Sequence, residues 1–192
     1  MPVVWPWPRN RGRRRGSAAR VAPASTDGPL ADPAFVAGLR PIPPGLPGAG
    51  SPWPAADIAG VSPTGTSVGV RMGEFDDLVL LAFLATRCDG CGEFWRGLRD
   101  GATVDLPVAV AVVAVTRGPG TIATADVCEV ATGISRVPVI MSDRAWSDYR
   151  VSGYPFFVLV DAPARRVVGE TVGFGWPDVV SMVRAATGTD EI

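Results

Sequence analysis

Two cysteines three residues apart stand in TRCDGCGEFW, residues 86–95, and their type and spacing carry chemistry more plainly than any other pair in the chain. Cys88 and Cys91, with Asp89 and Gly90 between them, admit three uses: half of a metal site, a reversible disulfide, or two thiols buried for packing. A four-ligand zinc or iron–sulfur site needs a second pair. The chain has one further cysteine, Cys128, so a metal would have to recruit carboxylates or a second chain. The disulfide has a geometric basis. At the start of a helix, residues i and i+3 share a face, within reach of a sulfur–sulfur bond. A sulfur at that position also meets unpaired amides and the positive end of the helix dipole, which favour thiolate over thiol. Such a thiolate attacks a disulfide, and the cysteine one turn later resolves the mixed intermediate. The neighbours tune this chemistry. An ionised Asp89 opposes the thiolate and Arg87 supports it, so no extreme stabilisation of the reduced pair is expected. Gly90 removes side-chain bulk between the sulfurs and lets the turn close. Glu93, two residues past Cys91, is expected on the other face as a solvated charge.

Absent residue types narrow the rest. The 192 residues include no histidine, and all 18 basic residues are arginine. Without lysine there is no Schiff base and no Walker A loop. Without histidine there is no Ser/His or Cys/His nucleophile pair and no imidazole metal ligand. Six arginines (Arg9, Arg11, Arg13, Arg14, Arg15 and Arg20) fall in the first twenty positions, and the remainder carries 12 basic against 19 acidic residues. That balance argues against a nucleic-acid-binding body, although the arginine-rich end has the charge to touch phosphate or anionic lipid. No apolar run reaches the eighteen residues of a spanning helix, and no apolar stretch follows the arginines as an export signal requires. As written the chain reads as cytoplasmic, with an extracytoplasmic compartment as the alternative if the true start lies upstream.

The elements that must position the cysteines follow from the pattern around them. Residues 1–65 read as a Pro/Arg-rich, largely disordered segment. Thirteen of the 19 prolines lie at or before Pro63, and proline removes backbone donors that a sheet ladder needs. A short helix over 32–39, capped by Asp32, is the one element expected there. Residues 66–188 read as the folded domain and 189–192 as a tail. Leu78 to Ala85 (LVLLAFLA) is a continuous apolar run, the pattern of a strand covered on both faces. A helix over 89–98 follows, with Phe94, Trp95 and Leu98 on one stripe. Val108 to Val115 is a second buried strand, 121–132 a helix stopped at Gly133, 138–141 a short strand and 144–150 a helical turn or two. Two strands, 156–161 and 166–174, are joined by Asp161-Ala162-Pro163-Ala164 as a hairpin, and Pro177 opens a final helix. The order βαβαβαββα gives an α/β sandwich with a mixed sheet flanked by helices. Cys128 falls within the second helix, where it reads as a packed thiol, with a further redox partner as the alternative.

At this point the chain resembles the thioredoxin-like superfamily, and within it the TlpA-like thiol:disulfide oxidoreductases. The resemblance covers roughly residues 73–186. It is carried by LVLLAFLATRCDGCGEFW, an apolar strand leading into Cys-x-x-Cys, and by the segment from Tyr149 to Asp161, YRVSGYPFFVLVD, similar to the family's Tyr-x-Val-x-Gly-x-Pro before an apolar strand. The resemblance implies a thioredoxin-like fold, with 121–141 as the TlpA-like helix–strand insertion. It also implies a thiol–disulfide oxidoreductase in which Cys88 attacks and Cys91 resolves. Pro155 would then be a cis-proline facing the cysteines, and Tyr154-Pro155 the edge on which an extended substrate pairs. Protein or small-molecule thiols and disulfides, with a recycling reductant or oxidant, would be its partners, and no bound cofactor is needed. Three positions depart from the family pattern. Arg87 stands where a tryptophan is frequent, Ala82 where minimal thioredoxins place a buried aspartate, and Phe156 where a threonine is frequent. A redox-quiet module that binds a partner through the same surface is therefore the competing expectation.

Overall fold

The computed structural model describes residues 52–101, 106 and 108–188. The expected helix over 32–39, the arginine-rich end and the tail 189–192 lie outside the described residues. Among the described residues, eight strands form one sheet: β1 (Trp53–Pro54), β2 (Ile58–Val61), β3 (Ser67–Val70), β4 (Leu78–Phe83), β5 (Val110–Thr116), β6 (Val139–Met141), β7 (Phe156–Asp161) and β8 (Arg166–Val172). The helices are α1 (Asp89–Asp100), α2 (Thr124–Ala131), α3 (Asp143–Asp148) and α4 (Trp176–Thr187), with one 3-10 turn at Met72–Glu74. From the first long strand onward the observed elements follow the expected order, and α2 stops before Gly133 as expected.

The sheet order is β1-β8-β7-β4-β5-β6-β2-β3. Strand β4 lies inside it, parallel to β5 on one side and antiparallel to β7 on the other. β6 continues parallel to β5, while β8 is antiparallel to β7. This mixed pattern explains the unbroken apolar run of β4. Its side chains alternate between two separate cores, with Val79, Leu81 and Phe83 on one face and Leu80, Ala82 and Leu84 on the other. The second core receives α1 through Cys91, Phe94, Trp95 and Leu98, and α4 through Val179 and Val183. Burying each of the larger side chains contributes about 1.5–3 kcal/mol. The first core receives α3 through Ala145 and Trp146, with Tyr149 beside them.

One expectation is corrected within the described residues. The reading of 1–65 as largely disordered does not hold over 53–61, where β1 and β2 are both in the sheet. Trp53 pairs with Val167, Ile58 with Val70, and Val61 with Met141. Pro54 sits in a strand with one sheet neighbour, where a missing donor costs little, and residues 58–61 contain no proline. The hairpin of β2 and β3 adds two strands to the β6 edge.

Candidate active site

Strand β4 runs into a short loop, and α1 begins directly after Cys88, which occupies the N-cap with extended backbone (φ −149, ψ 122). The loop is pinned to the helix it precedes. Trp95 donates its indole N–H to the Ala85 carbonyl at 2.9 Å, and the Ala85 amide donates to the Cys91 sulfur at 3.4 Å. The Cys91 amide in turn donates to the Cys88 carbonyl at 3.0 Å. Cys88 and Cys91 thus form a close pair at the amino end of α1, both as free thiols. They differ in environment. Cys88 is half-buried, whereas Cys91 is fully buried in the core beneath it, beside Leu80, Ala82 and Leu84. Burial, with a smaller contribution from the hydrogen bond to Cys88, pushes the Cys91 thiol up to about 12, against the lowering effect of the Ala85 amide.

The Tyr154-Pro155 bond is cis, as expected. A Cβ placed on Gly90 would stand 3.6 Å from Pro155 Cδ and 4.0 Å from Cys88 Sγ, so the proline ring and the sulfur flank the same point. Glycine here leaves that point open.

The tuning residues are placed less closely than their sequence positions suggest. Arg87 reaches away to Asp126 on α2 at 3.3 Å, with its side chain 84% exposed. An exposed pair of this kind contributes about 0–1 kcal/mol, and it engages the guanidinium expected to face the thiolate. Asp89 is the first residue of α1 and exposed, where its carboxylate suits the helix dipole. Glu93 is exposed as expected, with its carboxylate near Gly175 at the start of α4. Ala82 is fully buried in the core that holds Cys91, so β4 offers no carboxylate to take the Cys91 proton. Cys128 donates to the Pro63 carbonyl at 3.2 Å, which ties α2 to the β2–β3 turn.

The sequence reading missed part of the surface around the pair. Phe156 is only half-buried, paired with Phe83 and Val172. The large exposed apolar side chains at this end of the sheet are Tyr154 (50%), Val172 (49%) and Phe174 (87%). They belong together because the Gly173 amide donates to the Pro155 carbonyl at 3.3 Å. In sequence Phe174 reads as the last residue of a strand; β8 ends at Val172 and leaves it on a loop.

No protein-family model matches the chain, and no curated protein matches it either. Solved structures do. A thiol:disulfide interchange protein, DsbE, from Chlorobium tepidum is similar over 69% of this chain and 94% of its own, at 23% identity and a TM-score of 0.55. The pneumococcal exposed lipoprotein thioredoxin of Streptococcus pneumoniae matches over 68% and 99%, at 20% identity and a TM-score of 0.52. A thioredoxin-like protein from Aeropyrum pernix matches over 67% and 89%, at 15% identity and a TM-score of 0.52. At these identities the likeness concerns the fold. The chain has a thioredoxin-like fold, with a Cys-x-x-Cys pair at the strand-to-helix junction.

Proposed function

We propose that the protein is a thiol–disulfide oxidoreductase in which Cys88 is the nucleophile, Cys91 the resolving thiol and Tyr154-Pro155 the substrate edge. The observation that carries this reading is the asymmetry of the pair: Cys88 half-buried at a helix N-cap with Pro155 across the Gly90 position, and Cys91 fully buried in the core. In the reducing direction the Cys88 thiolate attacks one sulfur of a substrate disulfide. That bond breaks, the distal sulfur leaves as thiolate, and a mixed disulfide forms on Cys88. Cys91 then gives up its proton and attacks Cys88 Sγ, releasing the second substrate thiol and leaving a Cys88–Cys91 disulfide. Two electrons pass to the substrate, and an external thiol must return them for a second turnover.

The exposed apolar side chains beside the pair, Tyr154, Val172 and Phe174, support protein segments over small thiols as substrates. The surrounding redox poise sets the physiological direction. The redox-quiet alternative draws its support from Ala82, since Cys91 is left without a buried carboxylate to receive its proton.

Reduction of insulin by dithiothreitol, followed with and without the protein, tests the proposal. Cys88→Ser is expected to return the rate to that of the reagent alone. Cys91→Ser is expected to accumulate a mixed disulfide with the substrate. A wild-type rate in Cys88→Ser would remove Cys88 from the chemistry, and no acceleration by the wild-type protein would favour the redox-quiet module.

A further inference from the structure

One indole touches both halves of the site. Trp146, on α3, meets Phe83, the last residue of the strand leading to the cysteines, edge-on, with ring centroids 5.5 Å apart at 85°. It also meets Tyr154 at 6.0 Å and 76°. Arg117, just past the end of β5, lays its guanidinium carbon 4.3 Å from the indole centroid and reaches the Asp143 carboxylate at 3.8 Å. Trp146 is 1% exposed, and its Nε1 is buried with no hydrogen-bond acceptor among the described residues. A buried indole ordinarily pairs that N–H. Here its ring contacts, and not a hydrogen bond, account for the residue.

The helix that carries the indole is fixed in turn. Ser142 accepts the Ala145 amide at 3.1 Å, capping α3, and donates its hydroxyl to the Ala59 carbonyl on β2 at 2.7 Å. Trp146 is thus carried on a helix tied to β2 and lies edge-on against Tyr154 in the loop before β7.

We propose that Trp146, stacked beneath Arg117, is a positioning residue that holds Tyr154, and with it the Tyr154-Pro155 edge, in place relative to Cys88. This rests on the exchange reading above for its functional consequence, but not for the contact itself. The experiment uses the full chain with Trp146→Leu, Trp146→Phe and Arg117→Gln. Two quantities are read: kcat and KM for insulin reduction, and amide hydrogen exchange over 150–156 compared with 78–83.

An aromatic contact of this kind is worth a factor of about 2 to 13. Trp146→Leu is expected to raise KM by about that factor with kcat within about twofold, and to speed exchange over 150–156 while 78–83 is unchanged. Trp146→Phe, which loses no hydrogen bond, is expected to recover most of both. Exchange over 150–156 unchanged in Trp146→Leu, or raised equally over 78–83, would overturn the proposal. If Trp146→Leu does not fold, Arg117→Gln decides: a selective rise in loop exchange supports the stack and none overturns it. If the wild-type protein reduces no insulin, the oxidoreductase reading falls, and the exchange data alone decide the positioning.

Discussion

The two sulfurs differ by one turn of helix and by a change of medium. Cys91 lies in an apolar core, where its thiolate would be charged with no water to solvate it, so its proton is held up to about pH 12 against an ordinary value of 9.0. In the exchange proposed above, Cys91 would therefore enter as a thiol at neutral pH and lose its proton as it attacks. With Ala82 on β4, no carboxylate of that strand can take the proton, and in the proposed exchange it would pass to the departing substrate sulfur. The same shift has a stability consequence. Because Cys91 keeps its proton in the folded state and loses it near pH 9 when unfolded, the stability of the reduced protein is fully present below pH 9. It then falls as pH rises toward 12, by up to about 1.4 kcal/mol per pH unit. Tyr149, whose hydroxyl burial also raises, does not contribute until pH passes 10.0. Urea unfolding of the reduced protein at intervals between pH 8.5 and 10 checks this: the decline is expected to be shallower in Cys91→Ala, and an equal decline in both would assign it elsewhere.

Among the elements, the β2–β3 hairpin is the most economically attached. One register pair, Val61 with Met141, joins it to β6, supported by the Ser142 hydroxyl on Ala59. Such a join requires the two backbones to approach closely, and residue 60 is where they do. A Cβ on Gly60 would overlap the Met141 carbonyl oxygen and come within 2.9 Å of Ile140 Cγ2 and 3.0 Å of Ser142 Cβ. The carbonyl belongs to the sheet and has nowhere to move. Gly60→Ala is expected to cost about 1–3 kcal/mol, as overpacking does. Faster amide exchange should be concentrated at 58–61, 67–70 and the start of α3. Denaturant unfolding with hydrogen exchange measures both, and an unchanged midpoint would show that the join has slack. The disturbance should also reach the loop before β7 in weakened form, since Ser142 is the cap of the helix that carries Trp146.

Over the whole molecule, what the sequence made legible was whatever depends on near neighbours. The run LVLLAF needs both faces covered, Cys-x-x-Cys needs a helix start, and Tyr-Pro before an apolar strand matched a known pattern; the fold and the sulfur pair followed from these. Contacts between distant residues were not legible. Arg117, Trp146 and Tyr154 form one cluster only because the ends of β5, α3 and the loop before β7 converge, and no local pattern announces it. Proline content also misled, because it describes average backbone and not the position of each proline: Pro54 lies on an edge, and the strand over 58–61 has none. The corrected boundary carries a testable consequence. A chain beginning at Thr66 would lack Ile58, 2% exposed in the first core, and Trp53, whose ring lies 5.8 Å from that of Tyr149. It would also strip the carbonyl of Ala56 from the Tyr149 hydroxyl, and Asp57 from the Met72 amide and Arg165. Removing a buried side chain the size of isoleucine costs about 2–5 kcal/mol, and leaving a buried hydroxyl unpaired costs about 1–3 kcal/mol. Against a total of about 5–15 kcal/mol for an ordinary domain, those two losses together are about half of the margin. The 66–192 chain is therefore expected to lose the sharp denaturant transition and near-ultraviolet circular dichroism of the full protein. A cooperative transition within about 1 kcal/mol of it would instead mean that β1 and β2 decorate a domain already complete without them.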